Sequence, residues 1–137
     1  MANYKIEDIE GIGPAYGAKL RSAGVNSGDQ LLQKGCSQKG RKELAEATGV
    51  DASLILTWVN MADLFRVKGI GSQYAELLKK SGVDTVKELR NRNPENLLAK
   101  MTAVNSAGRS LVRNLPALSI VQSWIKNAKE LDPIVTH

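Results

Sequence analysis

The stretch Ile9-Glu10-Gly11-Ile12-Gly13 recurs 58 residues later as Val67-Lys68-Gly69-Ile70-Gly71. Laid over each other without a gap, residues 9–32 and 67–90 share eight identities. These are the two glycines with the isoleucine between them, Tyr16/Tyr74, Leu20/Leu78, Gly24/Gly82, Val25/Val83 and Leu31/Leu89. Arg21/Lys79, Asn26/Asp84, Ser27/Thr85 and Gln30/Glu88 keep their chemistry. A match of that length at one offset marks a duplicated structural unit. Whatever residues 1–65 fold into, residues 66–137 are expected to fold into as well. Each unit opens on a Gly-x-Gly turn that leads into a helix, one of the few backbone shapes able to hold a phosphate on its unpaired amides.

Helical signals run through the chain and alternating strand patterns are absent, which predicts an all-α fold. Pro14 suits the first turn of a helix and Gly24 its C-terminal stop. Ser27-x-x-Gln30 reads as a capping box for a short helix to about Lys34. A third helix is expected over 38–48, stopped by Gly49, and a fourth over 52–64, capped by Asp51, with Leu54, Ile55, Trp58, Val59 and Ala62 inward. The pattern then restarts with Ser72 as a cap, Gly82 as a stop and Thr85-x-x-Glu88 as the second capping box. Asn93-Pro94-Glu95 caps a helix carrying Leu97, Leu98 and Met101, and a polar stretch over 102–108 leads to a basic turn over 109–113. The last helix, over 117–131, carries Ile120, Val121, Trp124, Ile125 and Ala128. Trp58 and Trp124 take equivalent places at a separation of 66, so the second unit gains about eight residues near 102–116.

Aromatic residues make up 4% of the chain, so its core is built of Leu, Ile, Val and Ala. A unit of that size alone buries a marginal core, and the two are expected to pack as one compact body. One cysteine, Cys36, and one histidine, His137, leave no disulfide, structural zinc or nucleophile–histidine pair. No catalytic residue, metal or cofactor is therefore expected. Residues 1–10 lack a basic start and an apolar run, and no apolar stretch is long enough for a membrane span. A soluble, cytoplasmic protein is expected.

The motifs 11–25 (GIGPAYGAKLRSAGV) and 67–83, with Ile12 or Ile70 as the apolar plug between two helices, resemble helix-hairpin-helix motifs. A more degenerate hairpin is read at Thr48-Gly49-Val50. The layout as a whole extends the likeness: 42–50 (KELAEATGV), Trp58-Val59-Asn60, 63–71 (DLFRVKGIG), 81–101 (SGVDTVKELRNRNPENLLAKM) and the Leu115-Pro116 to Trp124-Ile125 ending. Over residues 4–131 it resembles an uncharacterised bacterial family described as a domain of unknown function with tandem helix-hairpin-helix (SAM-domain-like) units. The resemblance implies the fold and brings no established activity.

Charge separates the two copies. Residues 1–66 hold eight Lys/Arg and eight Asp/Glu, whereas residues 67–137 hold eleven and six, which places the whole net charge of +5 in the second half. Glu7, Asp8 and Glu10 precede the first hairpin and repel phosphate; Arg66 and Lys68 precede the second and attract it. The expected function is sequence-independent binding of the double-stranded DNA backbone by a non-catalytic module. Gly69, Ile70 and Gly71 form the phosphate-binding loop, Arg66, Lys68, Lys79 and Lys80 supply the charge, and Gly11, Ile12 and Gly13 form a weaker hairpin. The best DNA-binding hairpins carry a cation two residues after the second glycine, where this chain has Ala15 and Gln73. That departure favours the alternative, a helical adaptor that docks a protein partner and binds no nucleic acid.

Overall fold

The structure, a computed structural model, describes residues 4–108 and 110–137; residues 1–3 and Arg109 of the predicted basic turn lie outside the described residues. The all-α class is as predicted. Among the described residues there are eight α-helices, one 3-10 turn and no strand, save an isolated bridge between Lys5 and Ser27. The chain divides into two compact units, Met1–Asp63 with Ile134–His137, and Leu64–Pro133.

The first unit holds the 3-10 turn Ile6–Asp8 and helices α1 (Pro14–Ser22), α2 (Gly28–Gly35), α3 (Gln38–Thr48) and α4 (Ala52–Leu64, all but its last residue). Its core is Ile6, Ile9, Ile12, Leu20, Val25, Leu31, Ile55, Trp58 and Val59. α1 starts with Pro14 at its first position and stops where Gly24 turns left-handed at φ +85°. There the Val25 amide reaches back to the Leu20 carbonyl at 2.9 Å and the Gly24 amide to that of Arg21 at 3.0 Å, a pairing that satisfies two orphan carbonyls. Ser27 caps α2 by accepting the Gln30 amide at 3.2 Å, and Gln30 answers by accepting the Asn26 amide at 2.7 Å. Gly49 closes α3 at φ +73°, and the Asp51 carboxylate accepts the Ser53 amide at the start of α4.

Residues 134–137, placed by the sequence in the second unit, belong with the first. The Thr136 amide donates to the Cys36 carbonyl at 2.8 Å. Arg41, 4% exposed, donates to the carbonyls of Gly35 at 2.9 Å and Thr136 at 2.6 Å. It stays buried because both guanidinium edges find carbonyl partners.

The second unit holds α5 (Ser72–Lys80), the single turn α6 (Val86–Leu89), α7 (Pro94–Ala107) and α8 (Leu118–Glu130). α7 packs on α5 and α8, and α6 packs on α8. Leu64, Val67, Ile70, Leu77, Leu78, Val83, Leu89, Leu97, Met101, Val121 and Trp124 form its core. α5 ends as α1 does: Gly82 stands at φ +91°, and Val83 donates to Leu78 at 2.9 Å.

Four details differ from the sequence reading. Gly71, rather than Ser72, is the N-cap of α5, and Ser72 is its first helical residue. Thr85 does not accept a backbone amide; its hydroxyl donates to the Glu88 carboxylate at 2.8 Å. The 102–107 stretch continues α7 because Asn105, near its end, is drawn inward. Its side-chain oxygen accepts the amides of Leu111 and Val112 at 2.8 and 3.2 Å, and its amide group donates to the Val112 carbonyl, folding the extra residues back onto α7. Ile120 is 46% exposed instead of inward, since it lies about 100° round the helix from Val121, which takes the core face with Trp124, Ile125 and Ala128.

Candidate nucleic-acid interface

The two Gly-Ile-Gly loops share a frame. Gly11 and Gly69 have φ +91° and +93°, a conformation that side chains disfavour. Ile12 and Ile70 are fully buried, and their amides close equivalent turns on Ile9 and Val67, each at 3.2 Å. A tryptophan backs each loop. The indole nitrogen of Trp58 lies 3.6 Å from where a Cβ of Gly11 would stand, and that of Trp124 lies 3.2 Å from the same point on Gly69. Tyr16 meets Trp58 with ring centroids 5.1 Å apart, and Tyr74 meets Trp124 at 5.2 Å. Tyr74 is half-buried and its hydroxyl donates to the Asn114 carbonyl. Tyr16 is more open than a core residue, 37% exposed, with the Lys19 ammonium over its ring.

The loops part at the second glycine, although their sequences are identical there. Gly13 stands at φ +50° and ψ 178°, whereas Gly71 stands at φ −101° and ψ −170°, ordinary extended backbone open to any residue. A Cβ on Gly71 would meet nothing within 4 Å. Backbone geometry, as well as charge, therefore distinguishes the two loops.

The charges are also arranged differently from their sequence order. The Glu7 carboxylate is held bidentately by Arg21 at 2.6 and 2.9 Å, which lowers its pKa to about 2 through the hydrogen bonds and spends its charge locally. Asp8 accepts the Lys5 amide at 3.1 Å. Repulsion at the first loop thus comes down to Asp8 and Glu10. At the second loop Lys68 and Gly69 are exposed, Ile70 is buried, and Arg66 and Gly71 are half-buried. Lys79 and Lys80 are exposed but occupy the last turn of α5, roughly 12–14 Å along the helix from Gly71 at 1.5 Å per residue. The structure brings Arg66, Lys68, Gly69, Ile70 and Gly71 together and leaves Lys79 and Lys80 at the other end of the helix. Near that end Arg92 donates to the Gly82 carbonyl at 3.0 Å, as Lys34 does to that of Gly24 at 3.4 Å in the first unit.

Residues of α8 beside the second loop went unnoticed in the sequence. The Asn127 side-chain oxygen accepts the Lys68 amide at 2.9 Å. An open groove of about 440 Å³ is lined by Lys68, Ser123, Lys126, Asn127 and Glu130. Among the described residues Lys68 and Lys126 make no ion pair. The signal that could have found them is Trp124: a tryptophan equivalent to Trp58 and backing the loop carries Asn127, about one turn on, towards the loop, with Lys126 next to it on the exposed side.

Among the described residues no three of His, Cys, Asp and Glu gather as metal ligands, and no helix is long and apolar enough to cross a membrane. The chain belongs to the family described as a domain of unknown function, DUF4332, whose model matches residues 10–131. Neither the curated proteins nor the solved structures contain a match to it.

Proposed function

We propose that this member of a family of unknown function is a non-catalytic, sequence-independent DNA-binding module built of two helix-hairpin-helix copies, and that the second Gly-Ile-Gly hairpin contacts backbone phosphates. The observation that carries the reading is Gly71. The fold has no need of a glycine there, since its backbone is ordinary and a side chain would enter open space. A glycine is, however, what lets another molecule approach the backbone closely. It sits at the N-terminus of α5, where amide groups and the helix dipole favour an anion, and it follows Arg66 and Lys68. On this reading phosphate contacts supply the affinity, and contacts to phosphates carry no sequence preference.

The test is a titration of a labelled duplex with the parent protein, Arg66→Glu with Lys68→Glu, Lys68→Glu alone, and Glu10→Lys. The double variant is expected to lose binding, the single variant to weaken it and Glu10→Lys to strengthen it. Circular dichroism verifies that each is folded. Binding by a folded double variant equal to that of the parent refutes the proposal.

The exposure of Tyr16 beside the first loop and of Ile120 on α8 favours a second reading, a helical adaptor that docks a protein. Binding of a partner that is indifferent to salt is its signature.

A further inference from the structure

We infer that α8 forms the second wall of the phosphate site, with Lys126 as its cation and Asn127 as the residue that fixes the loop against it; the inference rests on the DNA-binding reading above. The hydrogen bonds decide which groups are left to meet a ligand. The Lys68 amide is taken by Asn127 and the Ile70 amide by the Val67 carbonyl. Among the described residues the amides of Gly69 and Gly71 have no partner. The Ser123 hydroxyl donates to the Ile120 carbonyl at 2.6 Å, so it has no proton to offer an anion. An anion in the groove thus meets the ammonium groups of Lys68 and Lys126, each without an ion-pair partner among the described residues, beside the loop that carries the Gly69 and Gly71 amides.

Glu130 lines the same groove, which leaves it a formal charge of +1 from two lysines and one carboxylate. That matches the single charge of an internal phosphodiester and disfavours a second phosphate at Glu130. In the first unit Lys126 corresponds to Asn60 at the separation of 66 set by the tryptophans, and Lys68 to Glu10 at the separation of 58 set by the loops. The first hairpin therefore lacks both cations, and the site belongs to the second unit alone.

The experiment compares Lys126→Gln with Lys129→Gln, which removes the same charge from an exposed α8 residue that does not line the groove. A labelled duplex is titrated by anisotropy across a range of salt, with Glu130→Gln and Lys68→Glu alongside. Loss of one phosphate contact lowers the log–log salt slope by about 0.9, which corresponds to roughly eightfold weaker binding at about 0.1 M salt. Lys126→Gln is expected to show that loss, Lys129→Gln to stay close to the parent, and Glu130→Gln to bind more tightly. Equal effects of Lys126→Gln and Lys129→Gln overturn the inference, because net charge and no site would then be responsible. No effect of Lys126→Gln, with Lys68→Glu still weakened, overturns it and leaves the hairpin reading standing. A parent protein that does not bind the duplex overturns both.

Discussion

Alanine at the two glycines of the second loop should have unequal consequences for stability, although they stand two residues apart. At Gly69 the backbone is at φ +93°, and an added Cβ would lie 3.2 Å from the Trp124 indole nitrogen. A side chain in the left-handed region costs about 1–2 kcal/mol, and crowding a packed contact adds about 1–3 kcal/mol. Gly69→Ala should therefore lose roughly 2–5 kcal/mol. At Gly71 the φ of −101° suits alanine and no atom lies within 4 Å of its Cβ. Restricting the unfolded chain by about 0.4–1 kcal/mol offsets alanine's poorer N-cap tendency, so Gly71→Ala should stay close to neutral. Urea unfolding followed by tryptophan fluorescence reads both variants, since Trp58 and Trp124 are buried. Duplex binding should divide the other way for Gly71→Ala, which stays folded but binds less well because the new methyl stands where a phosphate approaches. Equal stability losses at the two positions would refute the described turn. Undiminished binding by Gly71→Ala would remove the observation on which the function rests.

Ile70 is fully buried, so Ile70→Ala should cost about 2–4 kcal/mol in chemical denaturation; a loss under about 0.5 kcal/mol would place the side chain at the surface. A Cβ on Gly40 would collide with the Lys34 carbonyl oxygen, a backbone atom that cannot swing aside, and Gly40→Ala should destabilise by about 1–3 kcal/mol or more despite its better helix propensity. Arg41→Ala should release the segment Ile134–His137, seen as faster amide exchange at Thr136, whose amide is bonded to Cys36. Because Glu7 is depressed to about 2, its pairing with Arg21 stabilises the protein above the ordinary carboxylate pKa and is lost as pH falls towards 2. The difference in urea midpoint between the parent and Glu7→Gln should accordingly be present at neutral pH and vanish at the acid end, and a constant difference would contradict the pairing.

Local chemistry was legible in the sequence where one residue type decides the outcome. Pro14 and Pro94 begin helices, Asn93 caps α7, and Gly24, Gly49 and Gly82 end helices at positive φ. The periodic faces located Trp58 and Trp124 in the core, and the motif resemblance placed Ile70 there. What stayed hidden depends on partners distant in the chain. Nothing in the sequence says that Arg41 would bury itself to bind the carbonyl of Thr136, 95 residues away, or that Asn105 would tie down the segment after α7. Gly40 reads as a weak point in a helix until the Lys34 carbonyl is found against it. The candidate site was half legible for the same reason. The loop and its two preceding cations are contiguous, whereas Lys126 and Asn127 reach it only through the packing of α8, and Lys79 and Lys80 leave it because α5 runs away from the loop.

The measurement that tests the central claim most directly is the salt dependence of duplex binding by the parent protein. A hairpin that makes two or three phosphate contacts gives a log–log slope of roughly −2 to −3, with dissociation constants in the micromolar range or above at physiological salt. The account predicts that slope, the same affinity for duplexes of unrelated sequence, and its loss in Arg66→Glu with Lys68→Glu. A slope near zero, or no binding at low salt, would contradict it.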